Sequence, residues 1–161
     1  METLSFDLLQ FLYHLALTIL VGGSLVLGTA VAPVLFASSR SRAEAGALFG
    51  NVLARFDGLA IFSVIVLTIT SVFKALGFEV TAAPDTRLVL RWVALVALSV
   101  ATLYSSAWAN PVARQIRAAT AGFDEQPQSS LARIEFAKLH ERSRRAMSVA
   151  VVFGLVALFL G

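Results

Sequence analysis

The chain contains no cysteine. That excludes a disulfide framework, a thiolate metal site and a cysteine nucleophile. Charge is also scarce. Asp, Glu, Lys and Arg make up 14 % of the 161 residues, whereas a soluble domain carries roughly 25 %. No nucleophile elbow, phosphate loop, HExxH or dinucleotide fingerprint is present, and no Ser, His and Asp are spaced as a triad. A cytosolic enzyme, a disordered chain and a nucleic-acid module are therefore excluded. The net charge of +3 is a topology signal rather than a nucleic-acid footprint.

Hydrophobic residues make up 58 % of the chain, and the mean hydropathy is +0.81. Residues 8–39 form a run of 32 without Asp, Glu, Lys or Arg, and residues 92–113 a run of 22. Two shorter runs, 58–73 and 146–161, have 16 residues each. A helix needs about 20 residues to cross the hydrocarbon core. The short runs reach that length if Lys74 and Arg144/Arg145 snorkel to the interface. The pattern predicts an all-α integral membrane protein, an antiparallel bundle of four transmembrane helices. Their expected ranges are 5–37, 42–78, 86–119 and 130–160, with a linker over 120–129, in a single membrane domain spanning 1–161.

Basic residues set the expected orientation. The segments joining spans one to two and three to four hold ten Lys and Arg, and the segment joining spans two to three holds three. The positive-inside rule puts the two basic segments in the cytoplasm and both termini outside. The first span lacks the basic n-region and short apolar stretch of a signal peptide. A compact chain without a targeting signal points to a bacterial inner membrane.

Local signals extend the helices past the bilayer. Ser41-Arg-Ala-Glu44 is a capping box, Asp85 after Pro84 reads as the cap of the third helix, and Ser130 as that of the fourth. The stripe Ala45, Leu48, Phe49, Val52, Leu53, Phe56 runs without a break into span two. In the fourth helix Ala132, Phe136, Leu139, Ser143 and Met147 share one face. Both features predict helices extended on the cytoplasmic side. Pro33 and Pro111 close spans one and three in similar surroundings, as two parallel hairpins of an internal repeat would. Gly22 and Gly23 lie in span one. Ser24-x-x-x-Gly28 and Gly46-x-x-x-Gly50 are small-residue faces for close helix contact, within the bundle or in a homodimer.

The polar residues in and beside the spans are the candidate sites. His14 is either a neutral histidine bonded to a hydroxyl such as Thr70 or Ser71, or a haem or metal ligand or a proton relay. Lys74 and Arg91 either snorkel or turn inward beside His14 to line a basic pocket for an anion. Asp57, Asn110, Arg114 and His140 belong to the opposite boundary. There Asp57 pairs with Arg114 or Arg145, Asn110 satisfies carbonyls freed by Pro111, and the group forms a polar mouth to the bundle. His14 and His140 differ by roughly 20 Å in depth, so they share no ion. With Met147 the one internal methionine, no soft-metal site is expected. The expected cofactor is none, with haem as the alternative.

Together these residues resemble the transmembrane-protein-205-like family, a membrane domain of unknown function. The matching pieces are His14 with Gly22-Gly23, Ala32-Pro33-Val34-Leu35-Phe36, Ala45-Gly46 after the arginines, and Trp108 with Pro111. Phe136-Ala-Lys-Leu139-His140-Glu-Arg-Ser143 is the clearest. Met147 stands where that family carries Asn. The resemblance implies a four-helix membrane protein, distantly similar to copper-resistance D membrane proteins and associated with tolerance of metal-containing compounds. A weaker resemblance is to membrane protoporphyrinogen oxidases of the HemJ type, through His14 and Arg87 or Arg91. Three functions follow: binding or transport of a small solute or metal compound, a haem or porphyrin redox protein using His14, and a scaffold that docks a cytoplasmic protein. Membrane lipid is the shared partner of all three.

Overall fold

A computed structural model of the chain describes residues 2–79 and 85–161, in which long helices are joined by short turns and no strand occurs among the described residues. Helix α1 covers 2–38, α2 Arg42–Glu79, α3 Thr86–Ala119 and α4 Leu131–Leu160. Each is long and apolar enough to cross a membrane, the make-up of an integral membrane protein. At about 1.5 Å per residue α2 is roughly 57 Å long, nearly twice the thickness of a bilayer core of about 30 Å.

The helix starts follow from side-chain capping. Ser41 Oγ accepts from Glu44 N at 3.1 Å, and Arg40 N donates to the Glu44 carboxylate at 2.9 Å, which anchors α2. Ser130 Oγ accepts from Arg133 N at 3.4 Å and starts α4. Asp85 differs from expectation. It precedes α3 in extended conformation, but its side chain makes no capping bond. Pro84, the other half of that signal, lies outside the described residues.

Helices α1 and α3 share an unexpected local device. Each contains a widened π-helical turn, Leu27–Val31 in α1 and Tyr104–Ala109 in α3. In α1 the N–H of Ala32 donates to the carbonyl of Leu27, and in α3 that of Asn110 donates to Ser105. Both donors immediately precede a proline, Pro33 or Pro111. Proline lacks an N–H, and its ring presses on the carbonyl four residues back. A widened turn takes up that pressure without breaking the helix.

All four helices feed one core. It is formed by Tyr13, Leu17 and Leu20 of α1, Phe56, Ala60, Val64 and Leu67 of α2, Ala94, Leu95 and Leu98 of α3, and Ala157 of α4. Much of the outer surface is apolar, including Phe11, Phe62, Phe73, Val96, Val152 and Phe159. Such a surface belongs in lipid. At one end Phe6 meets the Phe78 ring at 5.2 Å between centroids, and Arg87 reaches the carbonyl of Phe159. At the other, Phe36 lies against Phe49, Arg117 bonds the carbonyl of Ala43, and Phe123 packs edge-on to Phe136. Gly122, with φ +58°, turns the chain into the linker after α3. Arg117 and Arg133 both bond Asp124 and cover the Phe123 ring, fixing that linker.

The small-residue faces work differently from expectation. A side chain at Gly22, Gly28 or Gly50 would meet nothing within 4 Å, so these are not contact points between helices of the chain. Gly23 does pack, against the Phe56 ring, and Gly46 makes room for the Arg117 guanidinium. The tightest position is Gly154 of α4, where an added Cβ would run into Val21 of α1 and come within 2.9 Å of Leu98 of α3. Gly154→Leu is expected to lower stability by about 1–3 kcal/mol through overpacking. Gly58→Ala, where a Cβ meets nothing, is expected to be neutral or slightly stabilising. Thermal unfolding in mild detergent measures both, and equal behaviour of the two variants would contradict this packing.

Candidate functional site

Most of the candidate residues gather into two polar clusters, one toward each end of the α2–α3 pair, each built around buried charge. The first is built on Asp57 of α2, which is 3 % exposed. Arg114 donates to one carboxylate oxygen at 2.6 Å and Asn110 to the other at 2.8 Å, both from α3. Ser143 of α4 donates to Asn110 Oδ1 at 2.5 Å, and its hydroxyl lies 2.7 Å from that of Ser105. Ser143 has one hydrogen and gives it to Asn110, so Ser105 is the donor to Ser143. Every hydrogen in the chain Ser105–Ser143–Asn110 therefore points toward the Asp57 carboxylate. Aligned donors of this kind polarise one another.

The widened turn in α3 makes this cluster possible. Leu98, Thr102, Ser106 and Asn110 are spaced by four, and all are buried. In an unbroken α-helix such positions drift about 40° per step, or about 120° over three. The π turn Tyr104–Ala109 absorbs the drift and keeps Asn110 on the inward face. The same face carries buried hydroxyls without a hydrogen-bond partner on Thr102 and Ser106, joined by Ser63 of α2. A helical Ser or Thr ordinarily donates back to a carbonyl one turn earlier.

The second cluster joins α1, α2 and α3. Lys74 is 2 % exposed and Arg91 7 %. Both face Glu79, Lys74 at 3.4 Å and Arg91 in direct contact. Lys74 also donates to Gln10 Oε1 and sits 4.5 Å from the centroid of the Tyr13 ring. Arg91 Nε is buried without a partner. Both cations are buried against protein partners, Glu79, Gln10 and the Tyr13 face.

Other expectations are redirected. His14 makes no bond to Thr70 or Ser71. Its Nδ1 lies 2.8 Å from the carbonyl of Gln10 and its ring stands edge-on to Tyr13. Thr70 instead donates to carbonyls of its own helix. Arg145 pairs with Glu141, leaving Asp57 to Arg114. Asn110 serves Asp57 and Ser143 and not the carbonyls near Pro111. His140 is exposed, stacked on Phe136 at 6.0 Å and 5° between planes, and joins neither cluster. Met147 Sδ accepts from Ser24 at 3.2 Å. Among the described residues no three His, Cys, Asp or Glu side chains gather to hold a metal ion.

Sequence reasoning overlooked Glu79, Gln10, Tyr13 and Ser105 as members of these clusters. A signal for Glu79 exists: it is an acid five residues after Lys74. Ser105 has one too: it lies seven residues after Leu98, within about 20° of it on a regular helix, and so shares the inward face.

The family model described as Domain of unknown function (DUF4149) matches residues 15–121. That stretch holds Asp57, Lys74, Glu79, Arg91, Ser105, Asn110 and Arg114, while Ser143 lies beyond it. No curated protein and no solved structure matches the chain. The match covers most of the chain, which therefore belongs to the DUF4149 family, a domain of unknown function.

Proposed function

We propose that the protein binds and passes a small polar solute across a membrane. One observation carries this reading. The same two helices hold a buried charged cluster at each end, with the apolar block of Ala60, Val64, Leu67, Ala94, Leu95 and Leu98 between them. Buried charges are expensive in a membrane protein and are the usual markers of a solute path. The block between them acts as a plug, and the unpartnered hydroxyls of Ser63, Thr102 and Ser106 supply polar footing on the Asp57 side.

In this reading the four helices form an antiparallel bundle, one membrane domain over 1–161, supported by the ring contacts at either end. The membrane is a bacterial inner membrane. Arg114 and the basic segments face the cytoplasm, where the long helices extend and offer a docking surface for a protein partner. The exposed Gly22, Gly28 and Gly50 suit a homodimer. Tolerance of metal-containing compounds, implied by the resemblance to the transmembrane-protein-205-like family, is one outcome of moving such a solute.

The test is osmotic swelling of proteoliposomes with glycerol, glycine and lactate as neutral, zwitterionic and anionic probes. At least one probe is expected to enter faster than into protein-free vesicles. The double variant Asp57→Asn, Arg114→Gln keeps polar side chains and removes both charges. It is expected to lower that rate about tenfold, equivalent to about 1.4 kcal/mol, while the protein stays folded. No entry above empty vesicles, or an unchanged rate in the folded variant, would sink the proposal.

A second reading rests on His14. A carbonyl only accepts, so His14 Nδ1 carries its hydrogen toward Gln10 and leaves Nε2 as a lone-pair donor. A histidine held in this way is suited to ligate haem iron. Protein purified from haem-replete cells would then show a Soret band that moves on reduction and is lost in His14→Ala. A flat spectrum would remove this reading.

A further inference from the structure

We infer that the Lys74–Glu79–Arg91 cluster is a binding site for a carboxylate-bearing solute. The inference deepens the solute-binding reading and rests on it. The argument starts from charge. Lys74 and Arg91 are both more than nine-tenths buried and share one carboxylate, that of Glu79. A buried charge without its counter-charge is strongly unfavourable. Asp85, just before α3, and Asp7, one turn before Gln10 on α1, do not supply one: both are exposed and form no ion pair. The joining segment 80–84 contains no charged residue. One additional monoanion brings the cluster to neutrality.

Hydrogen-bond capacity points to where that anion sits. Lys74 has three hydrogens. Its ammonium is engaged by Gln10, by Glu79 and by the face of Tyr13. Arg91 has five donors and gives one to Glu79. Its Nε–H is buried and unpartnered. The terminal nitrogen beside Nε on the guanidinium is the one that meets Glu79, so the donor left over is Nε–H itself, free to bond one oxygen of a second carboxylate. Tyr13 lies beside both cations, 4.5 Å from Lys74 Nζ and 5.9 Å from Arg91 Cζ, and so shields the site from the apolar core. The cluster thus combines excess positive charge, a buried N–H without an acceptor and a desolvated wall.

The carboxylate can belong to a water-soluble acid or to a fatty acid resident in the bilayer. The test separates the two. Protein in nanodiscs of uncharged lipid is titrated with sodium propionate, with oleate, and with sodium chloride at matched ionic strength. Unfolding is followed by tryptophan fluorescence, for which Trp92 lies next to Arg91 in sequence. A saturable rise in Tm is expected with propionate or oleate and not with chloride. Response to propionate marks a soluble acid, and response to oleate alone marks a lipid acid. Arg91→Lys keeps the charge and removes the Nε donor, and is expected to weaken the response about tenfold. Equal shifts with carboxylate and chloride, or equal responses of wild type and Arg91→Lys, would overturn the site. If Arg91→Lys is not recovered folded, Lys74→Gln leaves a neutral Arg91–Glu79 pair. It is expected to lose the response, and a full response there overturns the inference. These readings are independent of flux, so a flat titration beside intact swelling refutes this site alone.

Discussion

Asp57, Lys74 and Arg91 are almost fully withdrawn from solvent, and an ion in that setting is tolerable only with its counter-charge and hydrogen bonds close by. Much of the helix arrangement can be read from this demand. Asp57 of α2 draws Asn110 and Arg114 of α3, and through Asn110 it draws Ser143 of α4. Lys74 and Arg91 draw the end of α2 back over the start of α3 and against Gln10 of α1. Apolar packing holds the middle of the helices, but lipid is as apolar as leucine and gives that packing little direction. The polar ends set the register.

The same demand explains why close approach matters at a few positions. Gly154 lets α4 settle against Val21 and Leu98, and Gly23 accepts the Phe56 ring. Phe56 is the neighbour of Asp57, so the packing of α1 on α2 stands directly beside the first charged cluster. Gly46 accommodates Arg117, which in turn ties the Phe123–Asp124 linker to the start of α2.

How much of this the sequence discloses depends on the scale. Uncharged runs disclose four long apolar helices, because crossing a bilayer imposes length and composition on each one separately. The capping residues Ser41 and Ser130 are legible for the same reason, being local. The Asp57–Arg114 pair is partly legible, since a lone acid at a span boundary needs a cation. The Lys74–Glu79–Arg91 cluster is not read from snorkelling logic, which treats each cation alone and misses a shared carboxylate. Asn110 is hidden more deeply. A period of 3.6 puts positions 98, 102, 106 and 110 on diverging faces, and only the widened turn before Pro111 reunites them.

The hydrogen-bond line from Ser105 to Asp57 has a direction. Ser105 gives to Ser143, Ser143 to Asn110, and Asn110 to the carboxylate. The line is therefore a memory of charge. While Asp57 is ionised, the Asn110 amide must turn its nitrogen toward α2 and its oxygen toward α4. An amide in place of that carboxylate, as in Asp57→Asn, makes the reversed Asn110 equally acceptable, and Ser143 would then have to receive where it now gives. Three helices would register that one substitution as a change of orientation alone, with no side chain leaving its place.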